Sequence, residues 1–214
     1  MINFIPIFPL DIVVYPRETL NLHIFEPRYK QMISECLRNN KPFGILPVLD
    51  HKMEQYGISI EIVEMVKEYD QGEMDIRTVG KSVFRVLEQV HQIPEKLYQG
   101  AIVEYPSNEM THGDTQIAQL IVSEVKRLFA LLDSEEKLPI SKLEMMSYDV
   151  AHFIGLNLQQ EYELLCLMEE VQRLEYIRRH LNKLIPAVKE LEEVKARIRR
   201  NGHFRDLSLK DFNL

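Results

Sequence analysis

Near residue 106 the chain changes its hydrophobic period, and it does so once. Before that point, short runs rich in Ile, Val, Phe and Tyr are bounded by Pro, Gly and Asn, the pattern of β-strands. After it, apolar residues recur every three or four positions to about residue 200, the pattern of helices. Pro106-Ser107-Asn108-Glu109, followed by Thr111-His112-Gly113-Asp114, reads as the connection. The charge does not change with the period: residues 1–106 carry 11 basic and 15 acidic groups, and the rest 15 and 18. The chain is therefore expected to be α+β. A mostly antiparallel barrel with one inserted helix spans 1–106, a helical bundle with a long last helix spans 107–200, and a tail spans 201–214.

Strands are predicted at 3–8, 11–15, 20–25, 43–49, 57–67, 73–80, 82–90 and 99–105. Ile58, Ile60 and Ile62 alternate with Ser59 and Glu61, and the phase then slips to Val63 and Met65, which predicts a β-bulge. Asp70-Gln71-Gly72-Glu73 predicts a hairpin turn. So many short strands suit a closed or nearly closed barrel, which also covers strand edges. The inserted helix starts at Pro27, a residue suited to a first helical position. It carries Tyr29, Met32, Ile33, Cys36 and Leu37 as one apolar stripe and ends at Asn39-Asn40.

Four helices are predicted in the second half. The first covers about 114–132, with Ile117, Leu120, Ile121, Val125, Leu128 and Leu132 on one face. The second opens with the capping-box pattern Ser141-Lys142-Leu143-Glu144, and the third follows Gly155 with Asn157 as cap and Gln160 three residues on. The last covers about 170–200. Its apolar positions, preceded by Leu167 and running from Val171 through Leu174, Ile177, Leu181, Leu184, Val188, Leu191 and Val194 to Ile198, form a heptad-like seam. The seam serves the bundle itself, or else a homodimer or docking on another helix. Pro186 is expected to kink this helix.

Composition excludes several classes. Forty-five per cent apolar and 28% charged residues over 214 positions is a globular balance, not that of a disordered chain. No apolar run approaches the roughly 20 residues of a spanning helix, so no membrane insertion is expected. The N-terminus has no basic region ahead of its apolar stretch, and Pro6 and Pro9 interrupt it, so no signal peptide is expected. The net charge of −7 argues against a broad nucleic-acid surface. The two cysteines, Cys36 and Cys166, lie in helical apolar patterns and are expected to be buried free thiols of a cytoplasmic protein.

The chemistry-bearing residues give no positive sign of catalysis. Gly80-Lys81-Ser82 matches the end of a phosphate loop, but the glycine required five residues earlier is Asp75, and both flanks read as strand. A tight turn with Gly80 at positive φ is the expected structure. The histidines at 23, 51, 91, 112, 152, 180 and 203 lack zinc-binding spacings, and no metal or cofactor is expected. Glu135-Glu136, Glu169-Glu170 and Glu192-Glu193 are adjacent in sequence, so on a helix they do not share a face. The cluster Lys195, Arg197, Arg199, Arg200, His203 and Arg205 follows the usual enrichment of cations at a helix C-terminus.

Two stretches carry a family resemblance. One runs Ile5-Pro6-Ile7-Phe8-Pro9-Leu10, Val13-Val14-Tyr15-Pro16, Leu20-Asn21-Leu22-His23-Ile24-Phe25-Glu26-Pro27-Arg28-Tyr29 and Phe43-Gly44-Ile45. The other is Val79-Gly80-Lys81-Ser82-Val83-Phe84-Arg85-Val86. Together they resemble the N-terminal substrate-binding domain of the Lon protease family, and Leu158 to Leu174 is similar to the segment that follows there. The resemblance implies a PUA-like pseudo-barrel followed by a helical bundle, and a role in recognising polypeptide. It does not imply proteolysis, because the sequence has neither a phosphate loop nor a catalytic Ser–Lys segment. The implied function is a non-catalytic module that binds unfolded or flexible polypeptide and serves a separate protease or chaperone.

His23, Phe25, Glu26, Arg28 and Tyr29 are the candidate binding residues of the motif. Physically the same block also reads as architecture: Leu22, Ile24 and Phe25 end a strand, Pro27 starts the helix, and Tyr29 joins its core face. RNA binding, by analogy with other PUA-like barrels, and helix-mediated assembly are the rival readings.

Overall fold

The computed structural model describes residues 3–111, 115–134 and 146–200. Among the described residues seven strands are seen: β1 (Asn3–Leu10), β2 (Thr19–Ile24), β3 (Phe43–Leu49), β4 (Lys52–Met53), β5 (Tyr56–Glu68), β6 (Met74–Val90) and β7 (Gly100–Glu104). Among the same residues the α-helices are α1 (Pro27–Asn39), α2 (Thr115–Leu131), α3 (Ser147–Val150), α4 (Leu158–Leu165) and α5 (Glu170–Arg200). A short 3₁₀ turn, Ala151–Phe153, follows α3. The predicted capping box at Ser141, the residues His112, Gly113 and Asp114 of the connection, and the tail 201–214 lie outside the described residues. The chain divides into two compact units, Met1–Thr111 with Gly155–Arg173, and His112–Ile154 with Leu174–Leu214. Residues 155–173, grouped by their period with the helical half, thus belong to the first unit.

In that unit the strands pair in the ring β1–β7–β6–β5–β3, which closes because β1 also pairs with β3. The β1–β3 pair is parallel and all other pairs are antiparallel. A parallel pair needs a long crossover, and β2 with α1 supplies it. Ile5, Ile7, Leu46, Phe84, Ala101 and Val103 fill the barrel. Helix α1 begins at Pro27 and buries Tyr29, Met32, Ile33 and Cys36. It stops where Asn40 turns left-handed (φ 49°), with the amides of Asn40 and Lys41 donating back to Leu37 and Cys36.

The predicted bulge is present. On β5, Val63 is skipped between the pairs Ile62–Thr78 and Glu64–Arg77, and Val66 is skipped in a second bulge further on. The hairpin turn is also present, with Gly72 at φ 73° and its amide donating to the Tyr69 carbonyl.

Two strand assignments need correction. Residues 73–80 and 82–90 are not separate strands joined by a turn; they form the single strand β6, and Gly80 has no positive φ. Gly80 is needed because a Cβ there would strike the Tyr15 carbonyl. Its amide donates to the Glu18 carbonyl and its own carbonyl accepts from Arg17, so β6 is bonded at this point to the 15–18 segment. Residues 11–15 are not a strand. Val13, Val14 and Tyr15 are buried, but Arg17 takes φ 71° and the Glu18 carboxylate accepts the Tyr15 amide at 2.8 Å, which makes the segment a turn.

Helix α4 has the expected capping box: the Gln160 amide donates to Asn157 Oδ1 (2.9 Å) and the Asn157 amide to Gln160 Oε1 (3.0 Å). It is fixed to the barrel by the Tyr15 hydroxyl, which donates to the Glu161 carbonyl, and by the Tyr162 hydroxyl, which accepts the amides of Gln55 and Tyr56. In the second unit, Ile121, Val125, Leu128 and Phe129 of α2 and Leu174, Ile177, Leu181 and Ile185 of α5 are buried, the last four on the predicted stripe or beside it. Leu120 and Leu132, expected on the same face of α2, are exposed. Helical structure continues through Pro186 to Arg200.

Candidate functional site

The motif residues divide at the turn from β2 into α1. Tyr29 turns inward and stacks on Phe8 with ring centroids 4.0 Å apart; burial pushes its hydroxyl up in pKa. Glu26 caps α1 with its carbonyl, which accepts the amides of Tyr29 and Lys30. Its carboxylate is held by Arg28 at 2.8 Å, and the guanidinium of Arg28 lies over the Tyr29 ring. These three residues shape the turn.

His23 and Phe25 face outward. Nδ1 of His23 lies 2.7 Å from Oδ1 of Asp75, its partner across the β2–β6 ladder, and the Tyr69 hydroxyl donates to the other Asp75 oxygen. These two bonds, the one from His23 first, hold the Asp75 carboxyl below the usual range. Phe25 stacks on His23 and is 57% exposed. The motif thus offers one exposed aromatic surface, backed by a hydrogen-bonded histidine, and forms no single concave site.

A concave surface lies away from His23, Phe25, Glu26, Arg28 and Tyr29. A depression of about 460 Å³ opens between the C-terminal end of α1 and strand β1. Its apolar walls are Phe4, which is 52% exposed, Tyr105, which is 38% exposed, and Tyr98. Phe4 stands on Gly100 of β7, where any Cβ would fall on the ring. Tyr105 meets the buried Phe84 edge-on. The polar wall is Glu35, which accepts Lys96 Nζ on both oxygens (2.8 Å) and the Tyr98 hydroxyl (2.7 Å). The bond from Lys96, then that from Tyr98, lowers the Glu35 pKa against the opposing effect of burial. Across Lys41 and Pro42 lies a second depression of about 310 Å³, walled by Leu37, Ile62 and Lys81.

This arrangement suits a bulky apolar side chain. The sequence shows Phe4 on a strand but not that β7 places a glycine beneath it, a fact of register. Three further apolar side chains are exposed on β5, Met65 and the bulge residues Val63 and Val66.

The other candidates among the described residues have structural partners. Lys81 pairs with Glu61, and the amide of Ser82 donates to Ser59 Oγ within the sheet, so Gly80-Lys81-Ser82 cradles no phosphate. His180 bonds the Ile154 carbonyl. Among the described residues no group of three His, Cys, Asp or Glu side chains is placed to hold a metal. Cys36 is buried and Cys166 only half-buried, and burial pushes both thiols up to about 11. No helix among the described residues is long and apolar enough to cross a membrane.

Comparison with known proteins agrees with this architecture. Residues 5–183 match the family model of the ATP-dependent protease La (LON) substrate-binding domain. The fold is similar to that of a Lon N-terminal domain protein from Xanthomonas campestris, at TM-score 0.64 and 22% identity over 83% of this chain and 98% of that one. It is also similar to the N-terminal domain of Mycobacterium avium complex Lon protease, at TM-score 0.62 and 14% identity over 85% and 100%. With mostly antiparallel strands in a barrel-like sheet, a long C-terminal helix and a family match across most of its length, the chain belongs to the Lon substrate-binding domain family.

Proposed function

We propose that the protein binds unfolded or flexible polypeptide without catalysing its cleavage, and presents it to a separate protease or chaperone in the cytoplasm. The observation that carries this reading is the aromatic depression. Phe4 and Tyr105 leave large apolar surfaces in solvent around a concave site, and such exposure in a folded protein marks a binding surface. The site takes one bulky apolar side chain of an extended segment. Phe25, stacked on His23, supplies a second contact, while Glu26, Arg28 and Tyr29 hold the turn that presents it.

The test is a set of variants titrated against a labelled, permanently unfolded polypeptide. Phe4→Ser and Tyr105→Ser each weaken binding roughly tenfold, the worth of an aromatic anchor at an interface, and Phe25→Ser weakens it less. Equal affinity in all three variants and the parent would refute the reading. RNA binding has weaker support, because the net charge is −7 and Lys81, Arg77, Arg85 and Lys96 are each paired with a glutamate.

A further inference from the structure

Helix α5 is buried as far as Ile185 and bare beyond it. Between Pro186 and Ile198 no side chain is buried. The bare stretch is nevertheless apolar on one face. Leu184, Ala187, Leu191, Val194 and Ile198 follow at alternating steps of three and four, the inner positions of two heptads. Leu191, Val194 and Ile198 are 52%, 43% and 44% exposed. A helix with such a stripe draws its stability from a partner for that face.

The charges beside the stripe indicate which partner. Glu190, Glu192 and Glu193 precede Val194, whereas Lys195, Arg197, Arg199 and Arg200 follow it. Lys195 pairs with Glu192 and Lys189 with Glu193 along the helix itself. Glu190 and Arg197 have no ion pair among the described residues. Each stands immediately before a stripe residue, Leu191 and Ile198, so both occupy the same heptad place beside the seam. When two identical helices pair antiparallel, residues at that place face one another. Glu190 then meets Arg197 of the partner subunit, and the reciprocal pair forms by symmetry. The same alignment sets Leu191 against Val194 of the partner subunit, and Ala187 against Ile198 of the partner subunit. A parallel pairing would instead stack acidic segment on acidic and basic on basic.

We propose that the protein associates with a second copy of itself through antiparallel pairing of residues 184–198 of α5, with the two-fold axis between positions 192 and 193. An interface of this kind is isologous, each chain giving the same patch. A seam of two heptads is short compared with interfaces that hold permanent dimers, so the association is reversible and depends on concentration.

Sedimentation velocity of the full chain from roughly 1 μM to roughly 500 μM, a range set by weak protein affinities, tests this. The expected result is a rise from one chain toward two, abolished by Val194→Glu. Glu190→Arg and Arg197→Glu, tested singly, each weaken association roughly tenfold, because two attractive pairs become repulsive. The double variant E190R/R197E recovers association, and so does an equimolar mixture of the two single variants. All three substituted positions are exposed, so circular dichroism should show every variant folded. A monomer at every concentration, or association indifferent to Val194→Glu, overturns the proposal. Failure of both the double variant and the mixture to recover overturns the antiparallel geometry. A monomeric parent whose Val194→Glu variant loses helix shows that another part of the same chain covers the seam. A monomeric parent whose Val194→Glu variant loses affinity for unfolded polypeptide shows a substrate surface instead. Either result also overturns the pairing.

Discussion

The guanidinium of Arg173 lies 2.8 Å from the carboxylate of Glu170, with 0% and 1% of the two side chains exposed. The remaining Arg173 donors go to Asn108 Oδ1 and to the carbonyls of Leu167 and Glu109. The Glu109 carboxylate accepts the Glu170 amide, and the Glu109 amide donates to the Met168 carbonyl. One buried arginine therefore ties the segment leaving β7 to the start of α5. Removing one partner of a buried pair leaves the other charge without compensation, at a cost of about 3–5 kcal/mol. Arg173→Ala is expected to lose that much in urea-induced unfolding. A loss below about 1 kcal/mol, the scale of a surface pair, would contradict this role.

Gly80 predicts a second large effect from a small change. An added Cβ meets backbone, the Tyr15 carbonyl, and cannot be relieved by a side-chain rotation. Gly80→Ala should destabilise the barrel by about 1–3 kcal/mol, the usual cost of overpacking, and should shift the amide resonances of residues 15–18. An unchanged midpoint would mean that β6 and this turn are not in contact.

Cys36 and Cys166 give a pH prediction. Both thiols titrate near 11 in the folded chain because burial disfavours the thiolate, whereas an unfolded cysteine titrates at about 8.5. Between those values the unfolded chain gives up protons that the folded chain keeps, so stability falls as pH rises from about 8.5 toward 11. Below that window the thiols contribute nothing. At pH 8 a disulfide-forming thiol reagent should label the native protein at least tenfold more slowly than the unfolded one. Rapid labelling of either cysteine in the native state would contradict the burial.

What local chemistry determines was legible in the sequence. Pro27 and Asn40 mark the ends of α1, Asn157 and Gln160 cap α4, and the phase slip at Val63 marks the bulge in β5. Contacts distant in sequence were not legible. The loop carrying Tyr15 lies against Gly80, so a glycine that looks like a turn residue is a clearance in a continuous strand. Val13 to Tyr15 have strand-like composition, but the Glu18 side chain takes the Tyr15 amide and holds a turn. The motif residues were legible as a group, though not their division into a core tyrosine, an ion pair that shapes the turn, and an exposed His23–Phe25 stack. The aromatic depression needs the ring to close before Phe4, Glu35, Tyr98 and Tyr105 come together. Arg173 stands on the α5 heptad pattern like any surface arginine, and only the fold shows it buried.

The central claim is that the chain recognises polypeptide. A fluorescence-anisotropy titration of the full chain against a labelled, permanently unfolded polypeptide tests it most directly, with labelled single-stranded RNA in parallel at near-physiological salt. Saturable binding of the polypeptide, retained as salt is raised, with no binding of RNA, is the predicted result. RNA binding that falls steeply with salt, as phosphate contacts require, together with no response to the polypeptide, would contradict the account.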